Sequence, residues 1–321
     1  MIQSSSFITF VCGALGAAAF SANPRAAIPN VSQSRLSHVN PYESISGRVK
    51  LNSALHYRTL RDDDDHDALA PNALFKREAL RAYLGGSDDP NIPWMQASSD
   101  QIGDKMQGTA FPCPFARLTY KKDAQQVAFV NQHAQGAMEQ LRDQLVAYTE
   151  FVKADGSMFR PLVVFFKPEP LESVTDYHQK GWDILQMLHD HDASPWPESI
   201  PKDTEHFLWS FCFNGVALSV NVSNPLQAEH QARDLGNSMV LVFNPRQDFD
   251  AVAGPTRGGR QTRENIRAAL ERYESKPRGH TLGAYGDPDN LEWRQYTVAE
   301  SNGLLPEHCP LNITDQSNEL S

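Results

Sequence analysis

The chain has 321 residues, of which 40% are hydrophobic and 9% aromatic. That is enough apolar material for a packed core and excludes a disordered polymer. A formal charge of −10 argues against nucleic acid as the main partner, because phosphate binding needs a basic surface. Cys12, Cys113, Cys212 and Cys309 are widely spaced and form no C-x-x-C pair, which excludes a disulfide framework and a zinc site.

The first 42 residues hold no acidic side chain, and the apolar run from Phe7 to Phe20 is too short to span a bilayer. It has the length of a signal-peptide core with Ala19-Phe20-Ser21 as a cleavage site, yet no Lys or Arg precedes it. The Ser-rich, acid-free stretch with Arg25 and Arg35 fits a mitochondrial presequence equally well, and an uninformative tail is the third reading. Absent such a signal, the expected compartment is the cytoplasm. Residues 1–69 read as tail and linker, closing on the acidic run Asp62 to Asp65, a solvated spacer.

From Pro71 onward, elements can be assigned. "PNALFKREALRAYLGG" puts Leu74, Leu80 and Leu84 on a helical period and stops at Gly85-Gly86. "FPCPF" holds Cys113 rigidly between prolines and aromatics, as buried filler, a nucleophile or a ligand to a soft metal or haem. "QQVAFVNQ" predicts a strand, and "AQGAMEQLRDQLVAYTEFVKADG" an amphipathic helix with Met138, Leu141, Leu145, Tyr148 and Val152 on one stripe. "RPLVVFFK" has strand length, and "LESVTDYHQKGWDILQMLHDHD" predicts a second long helix. "FLWSFCFNGVALSVNVS" predicts two strands joined at Asn214-Gly215, a hairpin pair. "SMVLVFNPR" follows as a strand and "RQTRENIRAALERYESK" as a helix. Strands and helices interleave over 70–300, which predicts an α+β (mixed α/β) single domain with a central mixed sheet and a tail at 301–321.

The cluster His189, His191 and Asp192 could hold non-haem iron with a further ligand from elsewhere, although these residues are also ordinary at a helix terminus. "GPTRGGRQTR" lacks the ending of a phosphate loop; with Arg267, Arg272, Lys276 and Arg278 it is a solvated face or a clamp for carboxylates. No G-x-S-x-G elbow and no GxGxxG is present. Trp196, Trp209 and Trp293 read as core, or as the aromatic wall of a ligand cavity.

Taken in order, "FPCPFA" (111–116), "GWDILQMLHDHDASPWPESIP" (181–201), "FLWSFCFNG" (207–215), "LVFNPRQDFD" (241–250) and "YGDPDNLEWRQY" (285–296) resemble the YqcI/YcgG family over about 70–300. The resemblance implies a haem b oxygenase of the monooxygenase type, which N-hydroxylates a guanidino or amino nitrogen of a small amino-acid-like metabolite in secondary metabolite biosynthesis. It implies O2 and an external electron donor as co-reactants, a small nitrogenous substrate, and no nucleic acid or stable membrane span. Homo-oligomerisation stays open. Under that resemblance the iron needs an axial ligand. His230 in "PLQAEHQARDLG" is the first choice and His280 the second, with Cys113 as the thiolate alternative. Arg246 and Arg294 are candidates for pairing with haem propionates, Asp287 and Glu292 for a cationic substrate. Trp209 and Trp293, with Trp196, are expected to exclude water from the catalytic pocket. The rival readings are a non-haem iron oxygenase built on His189, His191 and Asp192, and a non-catalytic haem-binding protein.

Overall fold

In the computed structural model the described residues are 76, 80, 84, 85, 88–155, 159–275, 283–301, 303 and 305–314. Five strands form one mixed sheet: β1 (Gln126–Val130), β2 (Leu162–Phe166), β3 (Phe211–Phe213), β4 (Val216–Ser223) and β5 (Val240–Pro245). Their spatial order is β1-β2-β5-β4-β3. Only β1 and β2 run parallel; the other three pairings are antiparallel. This is the expected α+β architecture.

The β1–β2 half is covered on both faces. Every residue of both strands is buried, as expected where parallel strands are roofed by helices. Ala128, Val130, Leu162, Val164 and Phe166 face one core with helices α3 (Ala137–Asp155) and α4 (Val174–Asp190). Val127, Phe129, Val163 and Phe165 face the other, against α1 (Ile92–Gln107) and the buried Leu80 and Leu84. The alternation is the strand's period of two. Asn214 and Gly215, at φ 48° and 71°, turn β3 into β4, the paired positive φ of a tight hairpin.

Three helices were not legible. Helix α1 carries only Met95, Ile102 and Met106 as large buried apolar residues. Helix α2 (Pro114–Lys121) begins inside "FPCPF": Cys113 is its N-cap, its Sγ accepting from the Ala116 amide at 3.5 Å, and Pro114 fills the first helical position. Helix α5 (Arg246–Ala253) leaves β5 without a break. Helix α6 (Arg257–Glu274) starts earlier than its apolar pattern, capped by Thr256.

Helix α4 lies close on β4 at Gly181, where an added Cβ would meet both Val222 methyls at 2.9 Å. Valine has little rotamer freedom to yield. Gly181→Ala is therefore expected to cost about 1–3 kcal/mol by overpacking. Thermal unfolding should show the loss, and Val222→Ala in the same chain should recover part of it.

Candidate active site

The connection from β4 to β5, residues 224–239, is longer than the ~12 residues beyond which structureless loops are uncommon and usually functional. It is fastened on every side. Its single 3-10 turn, Gln231–Arg233, lies against the end of α6, where the Glu274 carboxylate accepts from the Ala232 amide at 3.3 Å and meets His230 Nδ1 at 3.2 Å. Arg233, partly buried beneath, donates to the carbonyls of Gln295 (2.7 Å) and Tyr296 (3.1 Å). Its burial draws the guanidinium down to about 10, against the pull of Glu274. Toward α1, Asp234 pairs with Lys105 at 3.1 Å and the Asn237 amide donates to Gln101 at 2.8 Å.

Between α1 and this loop lies a shallow hollow of about 550 Å³, lined by Gln101, Asp104, Lys105, Asp234, Gly236 and Asn237 with Pro225. Gly236 sits at φ 125°, with Gln101 Oε1 only 2.4 Å from where a Cβ would stand. No other residue type suits that position.

His178 on α4 packs under the same loop, its Nε2 3.2 Å from the Gln227 amide nitrogen. Burial, with Arg233 nearby, pulls its pKa down to about 4 from 6.5. The unfolded chain therefore binds the extra proton between these values. Stability from this residue is fully present above pH 6.5 and is lost as pH falls toward 4, by about 1.4 kcal/mol per pH unit. Urea unfolding at pH 5 and pH 7 should show a difference that His178→Gln removes.

The structure sorts the candidate residues into two groups. His230 is partly buried, its side chain 23% exposed, and its Nε2 makes no hydrogen bond among the described residues. Phe111 of "FPCPF" meets the Tyr273 ring of α6 edge-on, centroids 5.9 Å apart. Cys113 packs in the same core, and burial pushes its thiol up, away from the thiolate a metal would need.

The second group surrounds Glu292, on the 3-10 turn Glu292–Gln295. Glu292 is 2% exposed and takes Arg246 Nη1 at 2.7 Å, the Ser210 hydroxyl at 3.3 Å and the Tyr296 hydroxyl at 3.4 Å. Burial pushes its carboxyl up, and Arg246 offsets only part of that. Arg246 also pairs with Asp250 at 3.3 Å and lies 4.4 Å from the Tyr285 ring. Trp209 and Trp293 are wholly buried in the adjoining core. Arg233, through its bonds to the Gln295 and Tyr296 carbonyls, joins the two groups.

The other candidates lie apart from these groups. Arg294 is exposed, bonded to the Glu307 carbonyl and 5.1 Å from the Trp293 ring. Asp287 is exposed in a turn, accepting from the Asp289 amide. His280, Lys276 and Arg278 lie outside the described residues. His189 accepts from the Thr314 amide, His191 meets the Met187 carbonyl, and Asp192 caps the Ser194 and Asn214 amides, so the three side chains serve separate local contacts. Among the described residues no three His, Cys, Asp or Glu side chains are grouped to hold a metal ion, and no helix is long and apolar enough to cross a membrane.

For haem, the test is whether one side chain offers a ligand atom with its partner nitrogen already fixed. His230 does so: a metal-binding imidazole characteristically donates its other N–H to a carboxylate, and Glu274 stands in that place. Glu274 was not identifiable from sequence, being 44 positions away and placed on what reads as a solvated helix face. Lys105 and Asp234, further apart still, gave no signal either.

The YqcI/YcgG family profile matches residues 102–312. The chain is 37% identical over 231 residues to the provisionally named N(omega)-hydroxy-L-arginine synthase DcsA of Streptomyces lavendulae, covering 70% of this chain and 86% of that one. It is 32% identical to the uncharacterized YqcI of Bacillus subtilis (strain 168), over 66% of this chain and 84% of that one. To the uncharacterized YcgG of the same strain it is 31% identical, over 72% and 93%. No solved structure matches the chain. With the family profile and these relatives in agreement, the chain belongs to the YqcI/YcgG family.

Proposed function

We propose that this protein is a haem-dependent monooxygenase that N-hydroxylates a guanidino or amino nitrogen of a small amino-acid-like substrate, with electrons from an external donor. The observation that carries the reading is the likeness to DcsA across 86% of that relative's length. His230 supports it, being held by Glu274 so that Nε2 is left to bind iron. Haem supplies the activation of O2, chemistry that no side chain of this protein performs.

The protein's own residues bind and orient. Glu274 accepts the Nδ1 proton of His230 and so fixes the tautomer that presents Nε2. In the hollow, Lys105 offers an ammonium to a substrate carboxylate, and Asp104 and Asp234 offer anionic oxygens to a guanidinium or ammonium. Arg233 holds the loop against the turn that carries Glu292 and Trp293, which keeps His230 in register with the core.

The reading is tested by incubating the haem-loaded protein with O2, a reductant and L-arginine or other amino-acid amines, then weighing the products. Gain of a single oxygen atom on nitrogen is expected. Haem retained without any hydroxylated product would contradict the enzyme reading and leave a haem-binding protein without turnover. Gly236→Ala should raise KM more than it lowers kcat, because it displaces Gln101 at the wall of the hollow.

A further inference from the structure

Four of the chain's five tryptophans fall into one line of rings. Trp196, partly exposed, stacks on Trp209 at 6.5 Å; Trp209 lies 6.0 Å from Tyr296; Tyr296 stacks on Trp182 at 5.8 Å; and Trp182 meets Trp293 edge-on at 6.5 Å. The last four are buried. Tryptophan and tyrosine are the aromatic side chains most readily oxidised by one electron. Core packing alone needs the bulk of these rings, but aliphatic side chains supply bulk without unmet polar atoms. Here the indole N–H groups of Trp182, Trp209 and Trp293 are buried with no partner among the described residues, a cost that calls for a compensating role. An indole without a proton acceptor passes an electron vacancy on as a cation and keeps its proton. Tyr296 differs: its hydroxyl faces the Glu292 carboxylate at 3.4 Å and the Leu218 carbonyl at 3.1 Å.

We propose that Trp196, Trp209 and Tyr296 form a one-electron conduit between the protein surface and the core, in which Glu292 takes the phenolic proton when Tyr296 is oxidised. A one-electron oxidant removes an electron from the line, and the vacancy settles on Tyr296. The phenol O–H breaks, its proton goes to Glu292, and a neutral tyrosyl radical and a protonated carboxyl remain. Return of one electron through Trp196, from a soluble thiol or similar reductant, and of the proton from Glu292 restores the resting state. Within the proposed function, on which only the source of the oxidant rests, two passages of the conduit, each drawing one electron from the thiol, together with two protons from solvent, reduce to water an activated oxygen that meets no substrate.

The test needs neither haem nor turnover. Tris(bipyridyl)ruthenium(III), generated by a light flash with an irreversible quencher, is applied to the purified protein, and the radical is read by electron paramagnetic resonance. A neutral tyrosyl signal is expected, lost in Tyr296→Phe and lost, with the line cut, in Trp196→Phe. Trp196 is partly exposed, so this second variant disturbs the core little. No tyrosyl signal, its survival in Tyr296→Phe, or an unchanged signal in Trp196→Phe would each overturn the conduit. Because the measurement does not involve hydroxylation, an inactive protein that still gives the signal separates failure of the proposed function from failure of the conduit.

Discussion

His230→Ala is expected to emerge from purification without bound haem, even when haem is supplied during expression, while Cys113→Ala keeps it. The difference follows from the surroundings of the two side chains. His230 presents a nitrogen without a partner among the described residues, braced by a Glu274 carboxylate that is only 7% exposed. Cys113 spends its sulfur on the Ala116 amide as a helix cap, in surroundings that favour the neutral thiol. Glu274→Gln separates ligand from support. It keeps shape and a hydrogen-bonding oxygen but removes the anionic partner of the ring, and loss of such a partner lowers metal affinity about 10–100-fold. Haem titration of the three variants checks the order: His230→Ala weakest, Glu274→Gln intermediate, Cys113→Ala unchanged. Loss of haem from Cys113→Ala with retention in His230→Ala would reverse the assignment.

Glu292→Ala is expected to have the largest effect on stability. The carboxylate ties together four stretches of chain: Ser210 before β3, Ser219 on β4, Arg246 at the start of α5, and its own turn before Tyr296. Its removal leaves Arg246, 11% exposed, with only the Asp250 carboxylate. Breaking one side of a buried ion pair costs about 3–5 kcal/mol. In a chain of this size that corresponds to a fall in Tm on the order of 10 °C. Replacing both partners by apolar residues, Glu292→Leu with Arg246→Met, should recover much of the loss, because the penalty lies in the stranded charge rather than in the absent attraction. Differential scanning calorimetry of the single and double variants checks this; equal losses in both would mean that the hydroxyl contacts matter more than the charge.

Much of the fold was legible because the core obeys simple periods. The all-apolar "LVVFF" of β2, the stripe Leu141, Leu145 and Tyr148 of α3, and the Asn214-Gly215 turn each carry their structure locally. What could not be read was local structure set by capping rather than by apolar spacing. "FPCPF" read only as a rigid setting for Cys113 and is the start of a helix, because proline suits a first helical turn and the cysteine sulfur accepts an amide hydrogen there. Helix α6 begins at Arg257, ahead of its apolar pattern, because Thr256 supplies the cap.

The site divided along the same lines. His230 was the first choice because it falls after the hairpin and ahead of an apolar strand, but the carboxylate that braces its ring, Glu274, is brought in by tertiary structure alone. Arg246 and Glu292 were singled out for different tasks, a propionate partner and a substrate anion, and the structure pairs them with each other. Charge identity is visible in a sequence; which opposite charge satisfies it is decided by packing.

The absorption spectrum of the purified protein, oxidised and then reduced under carbon monoxide, decides between haem and no haem and between imidazole and thiolate. A Soret band whose ferrous–CO form is globin-like is expected, the signature of imidazole ligation through His230. A strongly red-shifted ferrous–CO band would move the ligand to Cys113, and no Soret band after haem is supplied would contradict haem-dependent hydroxylation itself.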